Sequence, residues 1–222
     1  MSKFNPFQEL RDMGLPPPKG VLQVGASTGQ EMPYFLQNGI GAGIFIEPLP
    51  EPFAELSRAC LRLPGFVAVN ALCSDETGRK VAFHVASNGG QSSSMLEPRN
   101  HLTEFDFVRF DQTVEMVTNR LDHVLAFLRG NGHAAVCDRC DMLYMDTQGA
   151  ELKVLRGAGA ALDGIDYVLT EVTRNQMYAG APTLDELVAY LQPLGFTLNN
   201  VNFSWHHHAD ALFVRNRVLQ IA

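Results

Sequence analysis

The sequence is short of tryptophan, cysteine and positive charge. It holds one Trp and four Cys in 222 residues. Reduced thiols are the default for a chain of this kind. Cys60 and Cys73 sit in apolar runs and read as buried thiols. Seventeen Lys and Arg face 24 Asp and Glu, a net charge of −7, which argues against a nucleic-acid partner. No apolar run approaches the roughly 18 residues of a membrane span, and "MSKFNPFQEL" lacks the apolar core of a secretory leader. These absences predict a cytoplasmic protein with no nucleic-acid and no membrane partner.

What is present suits a sizeable core: 46% of residues are hydrophobic and 18% charged. No repeat, low-complexity block or second boundary interrupts the chain, which predicts one domain over 1–222. Residues 4–13 read as a leading helix, stopped by Gly14 and Pro16 to Pro18. From Val21 the texture alternates. "VLQVGA", "GIFIEP" and "FVAVNALCS" read as strands, with helices in "QEMPYFLQNG" and "PFAELSRACLRL" between them. Residues 76–119 form an insertion, with further strands in "GRKVAFHVA" and "QTVEMVT" around the loop "SNGGQSSSM". After the helix "RLDHVLAFLR" the alternation resumes with "DMLYMDT", "AELKVLRGA" and "YVLTEVT". Thr183 with Glu186 marks a capping box. "FTLNNVNF" and "ALFVRNR" have no helix between them, so they should pair antiparallel. The plan predicts an α/β fold with a mainly parallel sheet covered on both faces.

"GASTG", residues 25–29, follows the first strand and precedes the first helix of the alternation. Ligands of open parallel sheets bind beyond such strand ends. Gly25 lets a ligand approach the backbone, and Gly29 turns the chain into the helix. Glu47 ends the second strand, 18 residues after Gly29, where an acid can accept hydrogen bonds from a ribose diol. The dinucleotide pattern G-x-G-x-x-G is incomplete: its places hold Gly25, Ser27 and Gln30. Two of three glycines are missing, so a pyrophosphate cradle is not expected. A cofactor without phosphates, such as S-adenosylmethionine, needs none.

The chain resembles the FkbM-type S-adenosylmethionine-dependent methyltransferases over about residues 19–217. The resemblance rests on "VGASTGQ" followed by "FIEPLPEPFAEL", "ALCSDETG" running into "VAFHV", "QSSSM", "TNRLDHVL", "LYMDTQGAELKVLRGA" and "DALFVRN". It implies a class I methyltransferase Rossmann-like sheet of seven core strands with an antiparallel last strand. It implies methyl transfer to hydroxyl groups of a small-molecule acceptor such as a sugar or polyketide-like compound. By the same resemblance, Gly25, Ala26, Ser27 and Gly29 would line the methionine and ribose part of the cofactor. Glu47 would hold the ribose, with Pro48 and Leu49 near the adenine and Ser74 and Asp75 at its edge. Asp146 would face the methionine end and the reacting centre, with Thr147 beside it among the cofactor contacts. The family often carries Asp two residues before the first glycine; here stands Gln23, whose amide oxygen still accepts a hydrogen bond but without a charge.

Methyl transfer to a hydroxyl needs an aligned acceptor, excluded water and a proton acceptor. Asp146 and Glu171 end neighbouring strands, and either qualifies as that base. Glu151 reads as an acid at a helix start. The serines 92–94 would cover the cofactor or meet the substrate, and Tyr178 and Trp205 would wall the acceptor. No metal is expected. His206, His207 and His208 are adjacent and would point to opposite faces of a strand, and the pair Cys137 and Cys140 lacks a second pair. The rival readings are a nicotinamide-type oxidoreductase, a non-catalytic adenosyl-binding module, and a magnesium enzyme using Asp146 with Glu171 or Asn175.

Overall fold

A computed structural model describes residues 5–173, 175–205 and 208–220. Side chains are described outside 203–208, so the histidine triplet and Trp205 lie outside the described side chains. The strands are β1 (Val21–Val24), β2 (Gly43–Ile46), β3 (Phe66–Val69), β4 (Leu72–Cys73), β5 (Lys80–Val85), β6 (Gln112–Asn119), β7 (Met142–Met145), β8 (Tyr167–Thr173), β9 (Phe196–Trp205) and β10 (His208–Arg215). The helices are α1 (Pro6–Asp12), α2 (Met32–Gln37), α3 (Pro50–Cys60), α4 (His101–Glu104), α5 (Leu121–Leu128), α6 (Ala134–Cys137), α7 (Glu151–Ala158), α8 (Leu184–Leu191) and α9 (Asn216–Leu219).

Seven strands form one sheet in the order β3-β2-β1-β7-β8-β10-β9. The pairs from β3 through β8 are parallel. β10 is antiparallel to both of its neighbours, because it follows β9 without a crossover helix. The central strands are buried on both faces: all four residues of β1 and of β2 are buried. Successive side chains serve opposite faces. Val21 and Phe45 join Phe7, Phe35 and Leu56 in one apolar layer. Leu22, Val24 and Ile44 join Leu121, Val154 and Leu187 in the other. No described helix is long and apolar enough to cross a membrane.

The local signals set the element ends. Pro33 and Pro50 open α2 and α3, where a missing N–H costs nothing. Thr183 and Glu186 form the expected capping box before α8: each backbone N–H donates to the other's side chain, at 2.8 and 3.2 Å.

The third strand differs from expectation. "FVAVNALCS" is not continuous but breaks at Asn70. Its side-chain amide donates to the carbonyls of Glu47 (2.9 Å) and Pro48 (3.0 Å). β3 stays in the main sheet, whereas β4 pairs in parallel with β6 of the insertion. β4, β6 and β5 make a second, three-stranded sheet. The polar Asn70 satisfies the backbone between β2 and α3 and so redirects the chain.

Candidate functional site

The parallel register aligns four strand ends. Val24 lies opposite Ile46 and Met145, and Met145 opposite Thr170. The next residue on each strand is therefore Gly25, Glu47, Asp146 and Glu171. Across the sheet they run Glu47, Gly25, Asp146, Glu171, one strand spacing of about 4.8 Å apart. This edge lies at the β1/β7 boundary, where the chain leaves β1 toward β2 on one side and later returns on the other. It is the topological switch point. A cavity of about 480 Å³ opens over the row, and all four residues line it.

Gly25 is the gap in the row. Its φ is +83°, and a Cβ there would stand 1.8 Å from the Asp146 carbonyl oxygen. Only glycine permits that approach. Ser27 is also left-handed, at φ +46°. Its N–H donates to Glu47 Oε2 at 2.9 Å, while the Leu49 N–H donates to Oε1 at 2.8 Å. Glu47 thus clamps the loop after β1 to the start of α3. A carboxylate has about four acceptor positions, so two remain for a ligand. Burial pushes the Glu47 carboxyl above its ordinary range, against the two N–H donors that hold it down.

Asp146 and Glu171 are joined by one amide. Gln148 Nε2 donates to Asp146 Oδ1 at 2.6 Å and to Glu171 Oε2 at 3.2 Å. Burial and the neighbouring Glu171 charge push Asp146 well above the usual carboxylate range. Asp146 therefore holds a proton more tightly than the exposed acids do. Glu151 behaves as a helix-start acid: its Oε1 accepts from the Thr147 and Gly149 N–H groups and the Thr147 hydroxyl, at 3.0 to 3.1 Å. Burial raises it to about 7.

Not every expected residue reaches the cavity. Ser27, Pro48, Leu49 and Thr147 line it. Ser74 and Asp75 do not; Ala71, Leu72 and Cys73, just before them, do. The chain turns into the insertion there, so the Ser74 hydroxyl donates to Asp75. Asp75 then reaches Lys153 of α7 at 3.6 Å. Ala26 is fully buried, and Gly29 packs against Met32 and Leu56; both shape the turn from behind. Gln23 also lies outside the lining. Its Nε2 donates to Glu31 Oε2 at 3.1 Å, and Glu31 lines the cavity. Its buried Oε1 has no hydrogen-bond partner among the described residues. Tyr178 is buried, and its hydroxyl meets the Ser92 carbonyl (2.7 Å) and Gln148 Oε1 (2.9 Å). It is a tie behind the site rather than an acceptor wall. Asn175 donates to Glu104 at 2.8 Å and is not among the lining residues.

The insertion supplies a wall the sequence did not announce. Ser92 and Ser93 line the cavity and Ser94, turned to the Gln148 carbonyl, does not; His101, Phe105, Phe107 and Val108 join the lining. The cluster "TEFDFVRF" was the available signal, but its phenylalanines follow neither helical nor strand periodicity. Cys137 and Cys140 are buried free thiols away from the site. Among the described residues no group of three His, Cys, Asp or Glu stands together as a metal site.

The lining carries four carboxyl groups, Glu31, Glu47, Asp146 and Glu171, and no Lys or Arg among the described residues. Such a donor set suits a cationic or neutral ligand and opposes a pyrophosphate.

Comparison with known proteins agrees with this architecture. The Methyltransferase FkbM domain matches residues 23–198. The 2-O-methyltransferase NoeI of Sinorhizobium fredii (strain NBRC 101917 / NGR234) is 30% identical over 167 residues, 72% of this chain and 65% of that protein. The chain thus spans slightly under two thirds of that relative's length. Methyltransferase FkbM from Methylobacillus flagellatus KT superposes with a TM-score of 0.57 at 14% identity, over 89% of this chain and 43% of that one. The magnesium protoporphyrin IX methyltransferase ChlM from Synechocystis PCC 6803, solved with bound SAM, gives 0.50 at 9% identity, over 94% and 76%. At such identities the superpositions speak for the fold, a class I methyltransferase sheet, and the domain match speaks for descent. Strand order, glycine turn and domain match together place the chain in the FkbM methyltransferase family.

Proposed function

We propose that the chain transfers a methyl group from S-adenosylmethionine to a hydroxyl oxygen of a small polar molecule, of the sugar or polyketide-like kind. The observation that carries this reading is the row Glu47, Gly25, Asp146, Glu171 under a cavity lined by acids. The relative's name, a 2-O-methyltransferase, supports oxygen as the acceptor atom.

The residues fit the cofactor. Its positively charged sulfonium and ammonium groups suit four carboxyl groups with no basic neighbour among the described residues. Glu47 would take the ribose hydroxyls on its two unused acceptor positions. Gly25 would let the cofactor lie against the backbone, and Leu49 and Pro48 would flank the adenine. Gln23, with its unpartnered Oε1, and Glu31 would meet the ammonium. When bound, the cofactor supplies a methyl group already activated by the sulfonium.

The chain's own task is then to place the acceptor, exclude water and take one proton. Ser92, Ser93, His101 and Phe105 of the insertion form one wall of the cavity and would shield it from water. Of the two candidate bases, Glu171 suits the proton better, because Asp146 already tends to hold one. Asp146 then orders the methionine end. A divalent cation between these acids would have to displace the Gln148 amide, whose hydrogens already point at both. We therefore expect transfer without a metal.

Thermal melts with S-adenosylhomocysteine and with NAD test the reading. At about a hundred times its dissociation constant, S-adenosylhomocysteine should stabilise the fold by about 2.7 kcal/mol. For a chain of this size that is a rise of roughly 5–10 °C in Tm. A response to NAD alone overturns the proposal.

A further inference from the structure

We propose that Gln148 is the positioning residue of this site: its amide holds the Asp146 and Glu171 carboxyl groups as a fixed pair and favours their ionised forms, leaving one ready to accept a hydroxyl proton. The role in proton transfer rests on the methyltransferase reading above; the geometry does not.

Three observations carry the inference. First, the amide nitrogen has two hydrogens and two acid partners, at 2.6 Å (Asp146) and 3.2 Å (Glu171). One neutral group thus serves two carboxyl groups from adjacent strands. Second, the amide is anchored at its other end. Gln148 Oε1 lies 2.9 Å from the Tyr178 hydroxyl, whose hydrogen is shared with the Ser92 carbonyl at 2.7 Å. A donor at Oε1 fixes the nitrogen end toward the acids. Third, the backbone is bent to deliver the side chain. Gln148 is left-handed at φ +53°, one of only two non-glycine residues with positive φ among the described residues. Such a conformation is strained for a residue with a Cβ and persists where the surroundings impose it. Its carbonyl is held there by the Ser94 hydroxyl at 2.8 Å. The serine-rich loop therefore grips Gln148 twice, through Ser94 directly and through Ser92 by way of Tyr178.

The electrostatic setting gives the amide its effect. Asp146 faces Glu151 from α7 and Glu31 from the segment before α2, and Glu171 acts on Glu151 as well. Tyr144 of β7 and Asp210 of β10 belong to the same electrostatic group. Tyr178 stands behind the amide, with the His101 ring 5.6 Å from its own. Every nearby acid disfavours a further negative charge, and the amide hydrogens oppose that. Removing them while keeping the shape should drive protons onto the pair.

The test uses the ligand-free protein. Carboxyl ¹³C resonances of Asp146 and Glu171 are followed against pH in the wild type and in Gln148→Met, which keeps the length and loses both donors. The lower of the two midpoints should rise by about one to two pH units. In the ¹⁵N-labelled wild type, the Gln148 side-chain amide resonances should titrate with the same midpoints. That measurement stands if Gln148→Met fails to fold. A Gln148 that only packs would lower stability and leave the titration unmoved. Unchanged midpoints in a folded Gln148→Met, or flat amide resonances in the wild type, overturn the proposal. Neither result depends on cofactor binding. Stabilisation by S-adenosylhomocysteine with an unmoved titration would remove Gln148 and keep the function. The reverse pattern would keep the amide's hold on the acids and remove the function, and with it the proton-accepting role.

Discussion

Glu47 does two jobs with one carboxylate. Its oxygens hold the N–H groups of Ser27 and Leu49, and the positions left over face the cavity. Removing the side chain therefore loosens the loop as well as the ligand. Glu47→Gln is the sharper probe, since it keeps one acceptor oxygen and the size. Charge-assisted hydrogen bonds to the ribose are worth about 1.5–3 kcal/mol each. Glu47→Gln should weaken S-adenosylhomocysteine by roughly 10- to 100-fold in calorimetric titration, with the fold retained. Unchanged affinity would put the ribose elsewhere. Glu171→Gln should leave that affinity nearly intact and lower turnover by about 10²–10⁴-fold on an acceptor panel that contains the true substrate. Full turnover would take Glu171 out of the proton path.

Helix α7 approaches the edge of the insertion most closely at a small residue. Gly157 is buried inside this helix, and a Cβ there would stand 1.9 Å from the Ser74 carbonyl oxygen. An exposed helical glycine replaced by alanine gains about 1 kcal/mol from helix propensity. Here the neighbour is backbone and cannot rotate away. Gly157→Ala should instead destabilise the protein by about 1–3 kcal/mol, read from urea unfolding. A stabilised variant would show that α7 and the segment after β4 can move apart. The contact also accounts for Ser74 and Asp75: the segment that carries them is tied to α7, not to the cavity.

For the molecule as a whole, the buried acids bias stability toward mildly acidic pH. Burial raises Glu47, Asp141, Asp146 and Glu151 alike. In this window the native state keeps protons that the unfolded chain has released. The stability they contribute is present below the ordinary carboxyl range and is lost as pH rises through the folded values. For Glu151 the loss runs from about 4.5 to about 7 and amounts to the order of 3 kcal/mol. Asp122, held low by hydrogen bonds from Arg120, acts the other way, losing its contribution only as pH falls below about 4. Urea midpoints should accordingly be higher at about pH 5.5 than at about pH 8, and Glu151→Gln should shrink the difference. Equal midpoints at the two pH values would contradict this account.

The sequence by itself determined the central strands of the sheet and where three of them end. Apolar runs bounded by Gly25 and Glu47, and the run before Asp146, each lie within about ten residues of the signals that delimit them, so local patterning suffices. The missing helix between "FTLNNVNF" and "ALFVRNR" likewise implies the antiparallel pair, since a parallel return needs a crossover. Only the tertiary structure decided which strand-end residues share one row, because register between strands is a property of pairs far apart in the chain. The parallel ladder sets Asp146 beside Gly25. The same distance in sequence hid the role of Gln148, whose partners Glu171 and Tyr178 lie 23 and 30 residues away. It hid the wall of the insertion too, where His101 and Phe105 reach the cavity from a segment with no period to read. Asn70 shows the limit most simply. The hydrophobic pattern runs straight through it, and only its amide's two carbonyl partners across the sheet edge explain why the strand stops there.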